Sequence, residues 1–271
     1  MTRYFLTLGY DGTDFLGWQS QPTGRTVQGV LEDRLSILLR QEIAVTGAGR
    51  TDAGVHARWM ACHADFVLPE GVTPPDLLFR ANRFLPPDIT LYGLYPVKDD
   101  AHARFDATER RYGYYVRTCP SPFGRHLQVT VPELDFAAMN EAAAGLIGTH
   151  DFTTYSKKHS NVHTHLCTVS EAEWQRIGPG EEWVFHISSN RFLRNMVRAI
   201  VGTLIEVGRG KISPEAPAHY LARQDRSLAA TSAPAQGLFL EYIRYPLDLF
   251  VEADPYSSEE KAGTYRVGER H

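Results

Sequence analysis

Cysteine is scarce in this chain. Cys62, Cys119 and Cys167 are odd in number and show no CxxC spacing, which excludes a disulfide framework and a cysteine zinc site and predicts reduced, buried thiols. Long apolar runs are absent as well. None approaches the roughly 20 residues needed to span a bilayer, and the opening MTRYFLTLGYDG alternates like a strand where a leader would carry an apolar block. A cytoplasmic chain without a membrane is therefore expected. Lysine is rare, so the cations are mostly arginine, the side chain suited to bidentate phosphate contacts and base stacking. The net charge of −4 excludes a uniformly basic surface. Its acids are unevenly placed, however: six of the 32 acids but only three of the 28 bases follow Tyr245, leaving 26 acids against 25 bases in the body. Local arginine patches stay open.

What is present is ordinary globular material, with 43% hydrophobic and 22% charged residues in a chain of 271. Residues 3 to 9 alternate with period two and run into the turn Tyr10-Asp11-Gly12. Behind Thr26 as N-cap, Val27, Val30, Leu31, Leu35 and Leu38 fall at helical spacing. A glycine-rich loop, Gly47 to Gly54, then precedes a half-buried strand at 59 to 68, a short helix opened by Pro74 and Pro75, and a strand at 89 to 97. Residues 110 to 118 start a second, similar order. A helix is predicted from Asp135 to Gly148, a hairpin across Gly178-Pro179-Gly180, a long helix from about Arg191 to Val207, a helix start at Ser213-Pro214-Glu215, and a closing strand at 237 to 245. Strand-helix-strand twice over predicts an α+β fold: two similar halves sharing a mainly antiparallel sheet, with a central cleft. The halves are expected at 1–105 and 106–246. Beyond Pro246 periodicity is lost, and 247–271 is expected to be a mobile tail.

The densest chemical signal is Gly47-Ala48-Gly49-Arg50-Thr51-Asp52-Ala53-Gly54-Val55-His56-Ala57. Glycines around Arg-Thr-Asp permit positive φ and close backbone approach, so Asp52 is presented from a loop. For an arbitrary aspartate in such a loop an Asx-turn is the commoner outcome, and without a GK[ST] ending a phosphate loop matches weakly. A second signal is SSNRFLRNMVRAIVGTLIEVG, which as a helix sets Arg191, Arg194 and Arg198 at i, i+3 and i+7, opposite an apolar face. Such a row is commonly a solvated face, yet it would also suit phosphates or hold an aspartate ionised. Third, Arg104 in HARFDA and Arg111 in RRYGYY stand among aromatics; Tyr114 reads as core, while the interleaving could stack an extruded base.

GAGRTDAGVHA, HARFDAT with RRYGY, GTHDF, NRFLRNMVR-IVGTLIEVG and APAQGLFLEYIRYP occur together and in the order that resembles the TruA family of tRNA pseudouridine synthases, over roughly residues 3 to 246. The resemblance implies the pseudouridine synthase fold and a metal-free isomerase, without cofactor, acting on uridines of the tRNA anticodon stem-loop at about positions 38 to 40. It implies Asp52 as catalytic aspartate, Arg50 as the arginine that helps extrude the nucleotide, Tyr112 as the tyrosine against the base, Arg198 as the arginine paired with the aspartate, and Leu238 as the apolar residue under the uracil. A homodimer binding tRNA is implied too. Arg191, Arg194, Arg104 and Arg111 are candidate RNA contacts from the charge pattern. Two departures, Thr153-Thr154-Tyr155 after GTHDF and Trp59-Met60 after VHA, bear on which uridines fit.

Two other classes compete. His159, His163 and His165 near Asp151 could suggest a metal hydrolase, although x₃ then x₁ spacing is not a usual zinc pattern. A non-catalytic RNA-binding module would need the arginines and aromatics but not Asp52, whose charge would oppose phosphate.

Overall fold

The computed structural model describes residues 1–157, 163–177, 181–251 and 264–267. Two compact units form, one from Met1–Thr108 with the described residues from Leu240 onward, the other from Glu109–Phe239. The class is the expected α+β, with five α-helices among the described residues and strands that pair mostly antiparallel.

The first unit runs β1 (Thr2–Tyr10), α1 (Val27–Leu39), β2 (Thr46–Gly47), β3 (His56–Phe66), α2 (Pro74–Phe84) and β4 (Ile89–Pro96). β1 is central, antiparallel to β3 through pairs such as Leu6↔Cys62 and to β4 through Leu6↔Leu94. Thr26 caps α1 by accepting the Gly29 amide, and the helix buries Val27, Leu31, Leu35 and Leu39, a narrower stripe than the spacing predicted. Thr73 and Asp76 form a reciprocal capping box on α2 behind Pro74, closing two amides that helix geometry leaves open.

In this unit the turn 102–106 has each of its amides satisfied. Asp106 Oδ2 accepts His102 N (2.6 Å), His63 Nδ1 accepts Ala103 N (3.1 Å), and His102 Nδ1 accepts Arg104 N (3.1 Å). The His102 carbonyl takes Phe105 N and Asp106 N, both at 3.1 Å. The Tyr245 hydroxyl donates to Ala103 O at 2.5 Å.

The second unit contains β5 (Glu109–Arg117), β6 (Val129–Thr130), α3 (Phe136–Ala144), β7 (Gly148–Asp151), β8 (Leu166–Ile177), β9 (Glu182–Ser189), α4 (Met196–Gly208) and α5 (Ala216–Arg223). β5, β9, β8 and β7 lie side by side, antiparallel at each step. The hairpin of β8 and β9 is as expected, while its turn, 178–180, lies outside the described residues. Asp135 caps α3 through the Ala137 and Ala138 amides, and the helix ends at Ala144, ahead of Gly148, whose φ of +112° starts β7. Arg117, 4% exposed, clamps the loop after β5: it donates to Gln128 Oε1 (2.8 and 2.7 Å), to the Ser121 and Phe123 carbonyls (3.4 and 2.8 Å) and to Glu182 (3.1 Å). Cys62 and Cys167 are buried as free thiols, but Cys119, expected inside, is exposed just past the end of β5.

The arginine helix is shorter than predicted. α4 begins at Met196, because the carbonyls of Arg191 and Arg194, which would accept helical amides, are taken by the Ser189 hydroxyl (2.8 Å) and the Lys157 amide (3.1 Å). Asn195 sits at φ +66°, outside the right-handed region, with its side chain on Ser232 (2.7 Å). Eleven of the thirteen α4 residues are buried, so the helix is a core element with no free polar face.

β10 (Leu238–Pro246) begins in the second unit and runs mostly in the first, where it lies beside β3. Leu247–Leu249 makes a 3₁₀ turn and β11 (Thr264–Val267) pairs antiparallel with β10. The remaining residues of the expected tail, 252–263 and 268–271, lie outside the described residues.

Burial, with His102 and Arg3 close by, pushes His63 down to about 4 against the opposing pull of Asp65 and Asp106. The unfolded chain thus binds more protons than the folded one between about pH 4 and 6.5. This contribution to stability is complete above the ordinary histidine value and is lost as pH falls towards the depressed one. Urea unfolding across pH 4 to 7 should show stability rising with pH over that window. His63→Asn, whose Oδ1 still accepts the Ala103 amide, should flatten the rise; an unchanged slope would remove His63 as its source.

Candidate active site

Asp52 lies in a turn, Asp52-Ala53-Gly54-Val55, closed by Val55 N–H on Asp52 O at 3.2 Å, with Gly54 at φ +76°. An Asx-turn would draw on the Gly54 amide, and that amide is committed to the Phe15 carbonyl (3.3 Å). The carboxylate is half-buried at a loop tip. Its backbone is held from one side by the segment after β1. Trp18 N–H donates to Thr51 O (3.2 Å), Tyr10 Oη shares a hydrogen bond with Thr51 Oγ1 (2.9 Å), and buried His56 accepts the Gly12 amide (3.0 Å).

Two glycines make this approach achievable. A Cβ on Gly17, which has φ +95°, would stand 2.3 Å from Thr51 O, and one on Gly12 would stand 2.1 Å from Val55 O. At the far end of the loop Ala48, buried, donates to Ala61 O (2.8 Å). Of the other candidates in this unit, Arg50 is exposed one residue before Thr51, and Arg104 is exposed in the 102–106 turn with its guanidinium 5.6 Å from the Phe105 ring centre.

The second unit holds the remaining candidates. Tyr112 on β5 pairs with Ile187 of β9, is half-buried, and meets Phe192 edge-on, with ring centres 5.1 Å apart and planes at 90°. Its neighbour Arg111 is ion-paired with Glu171 (2.9 Å), whose other oxygen accepts the Ser188 hydroxyl (2.7 Å). Arg198 stands in the first turn of α4 and donates Nε–H to Ala233 O (2.7 Å), while Ala233 N–H returns to Arg198 O (2.9 Å).

The strap that follows Ala233 links several candidates. Tyr114 Oη donates to Pro234 O (2.9 Å), and a Cβ on Gly237 would lie 2.8 Å from the Tyr114 ring, so the strap lies flat on β5 before Leu238, which is buried. Burial drives the Tyr114 phenol far up, with the Arg198 charge opposing it, as expected of a core tyrosine near that arginine. Arg191 and Arg194 do not continue the Arg198 row: both precede α4, Arg191 half-buried and Arg194 exposed. Arg191 lies near Cys167, whose thiol burial pushes up to about 11 against that arginine's charge. Residues Tyr10, Gly12, Gly17 and Trp18, and the strap from Ala233 to Gly237, were not singled out from the sequence as parts of the site. The turn at Tyr10-Asp11-Gly12 and the APAQG motif are the signals that point to them.

His159, one of the three histidines of the metal reading, lies outside the described residues. Among the described residues no group of three or more His, Cys, Asp or Glu could hold a metal ion, and no helix is long and apolar enough to cross a membrane.

The family model described as tRNA pseudouridine synthase matches residues 8–106 and 142–246. The tRNA pseudouridine synthase A of Bacteroides thetaiotaomicron is 52% identical over 255 residues, covering 93% of this chain and 94% of that protein. That of Parabacteroides distasonis is 50% identical over 258 residues, 94% of this chain and 100% of that protein. A more distant relative of the same name, from Exiguobacterium sibiricum, is 38% identical over 247 residues, 91% and 98% of the two chains. The matches run through both units, and the chain belongs to the tRNA pseudouridine synthase family.

Proposed function

We propose that this protein isomerises uridine to pseudouridine in tRNA, in the anticodon stem-loop at about positions 38 to 40, with Asp52 as the catalytic carboxylate. The observation that carries the reading is the Asp52 turn: a half-buried carboxylate fixed by backbone contacts on both flanks, in a chain of this family. The reaction breaks the bond between C1′ and N1, forms one between C1′ and C5, and exchanges the C5 proton for one on N1. Atoms are conserved and no electrons leave, so the chemistry needs no redox partner. An ionised carboxylate can serve it as nucleophile or as base near the ribose.

The other roles follow the motif match. Tyr112 meets the base and Leu238 lies beneath it, Arg50 fills the vacated stack, and Arg198 is the counter-charge. Of the added RNA contacts, Arg194 and Arg104 are supported by their exposure; Arg191 is half-buried, and Arg111 would have to leave Glu171 to reach a phosphate. The family resemblance implies a homodimer in which one tRNA contacts both subunits, and the working compartment is the cytoplasm. A non-catalytic RNA-binding module is the alternative, and it makes the opposite prediction for Asp52.

Pseudouridine mapping of a tRNA transcript should find product near positions 38 to 40 with the wild type and none with Asp52→Asn, with tRNA affinity within about twofold between the two. Wild-type protein that binds tRNA and leaves every uridine unchanged would favour the binding module. Gly17→Ala meets both the positive φ and the Thr51 carbonyl. It should cost about 1 to 3 kcal/mol of stability and lower kcat by roughly tenfold or more through the displaced aspartate, which thermal unfolding and single-turnover kinetics would read. Light scattering should give twice 30.4 kDa; a monomer at working concentration removes the dimer.

A further inference from the structure

Phe105 is 73% exposed in a turn that is otherwise fully ordered by hydrogen bonds. All five consecutive amides of the turn have acceptors, four within the turn and one, for Ala103, on His63 Nδ1 of β3, and the turn is anchored at Ala103 by Tyr245. Such a frame fixes the backbone that carries the ring. His102 packs on it, with ring centres 4.2 Å apart and planes at 37°, and the Arg104 guanidinium lies 5.6 Å from its centre. The turn's own acid, Asp106, is occupied in accepting the His102 amide.

We propose that Phe105 is a stacking platform for an unpaired base of the bound RNA, with Arg104 on the adjoining phosphate. An aromatic face held rigid beside an arginine is the chemistry by which proteins take up unstacked nucleotides, since stacking tolerates any base and arginine meets the backbone. The backbone that carries the ring is already ordered by the turn, so little further ordering of the chain is needed on binding. This inference rests on the tRNA reading given above and adds a second contact, apart from the Asp52 turn, through which the substrate is held.

The test is tRNA binding by the full-length protein over a salt series, with Phe105→Ala, Phe105→Tyr and Arg104→Gln. Phe105→Ala should weaken binding by about tenfold, with the slope of log K against log salt unchanged, because stacking releases no counterions. Phe105→Tyr should return affinity to within about twofold of the wild type. Arg104→Gln should weaken binding and lower the slope by about one. Phe105→Ala with wild-type affinity would overturn the platform while wild-type pseudouridine formation leaves the function standing. A Phe105→Ala protein that binds tRNA normally but changes its mass by light scattering would assign the ring to a contact between copies, which also overturns the proposal. A wild type that neither binds nor modifies tRNA would fail both readings together.

Discussion

Two backbones in the first unit come closer than side chains normally permit, and the candidate site depends on that approach. The segment from Gly12 to Trp18 lies against the turn from Thr51 to Val55, with carbonyls at the places where a Cβ of Gly12 or Gly17 would be. Only residues without a Cβ can line such a contact, and only a positive φ lets the chain leave Gly17 in the observed direction. The reward is positional. A carboxylate on a free loop would sample many orientations, whereas here the amides and carbonyls on both flanks of Asp52 are committed to neighbours. Rigidity of this kind is what lets a loop residue serve chemistry that needs sub-ångström placement.

The second unit solves a related problem by different means. Arg198 would be expensive to place near a buried tyrosine and an almost wholly buried helix, and the cost is offset by a charge-assisted hydrogen bond to Ala233 O. The strap that supplies this acceptor also takes the Tyr114 hydroxyl and leads directly into Leu238. One short segment thereby sets the positions of an arginine, a tyrosine strand and an apolar residue. The same strap explains why APAQG is worth reading as part of the site, since its members act through carbonyls and a missing Cβ and carry no reactive group of their own.

The elements with strong local signals were legible in the sequence. Thr26 and Asp135 are capping residues in the structure as the sequence suggested, Pro74 opens α2 as expected, and the predicted strands at 3 to 9 and 89 to 97 became β1 and β4. The α+β class followed from their order. The start of α4 was not legible, because what stops the helix at Met196 is remote: the Lys157 amide and Ser232 are far away in sequence and claim groups that local periodicity assigned to the helix. The three-arginine row failed with it. In the candidate site the motif around Asp52 was visible as a chemical pattern, but the pairing of Arg111 with Glu171 was not, since it reaches across β9 between two strands that do not pair with each other, 60 residues apart. Cys119 went wrong for a simpler reason: scarcity of a residue type says nothing about which side of a strand end it falls on.

The buried Arg117 clamp has a consequence for how this sequence can diverge. The loop from Ser121 to Gln128 is held by Arg117, outside it, through two of its carbonyls and the Gln128 side chain, alongside two bonds of its own, Phe123 N–H to Ser121 Oγ and Leu127 N–H to Gly124 O. Carbonyls are common to every amino acid. The side chains of Phe123, Arg125 and His126, exposed along that loop, take no part in those bonds, whereas the side chains of Arg117 and Gln128 make them. A lineage can rewrite this piece of surface at little risk to the fold, which makes the loop a place where related chains are free to acquire different recognition.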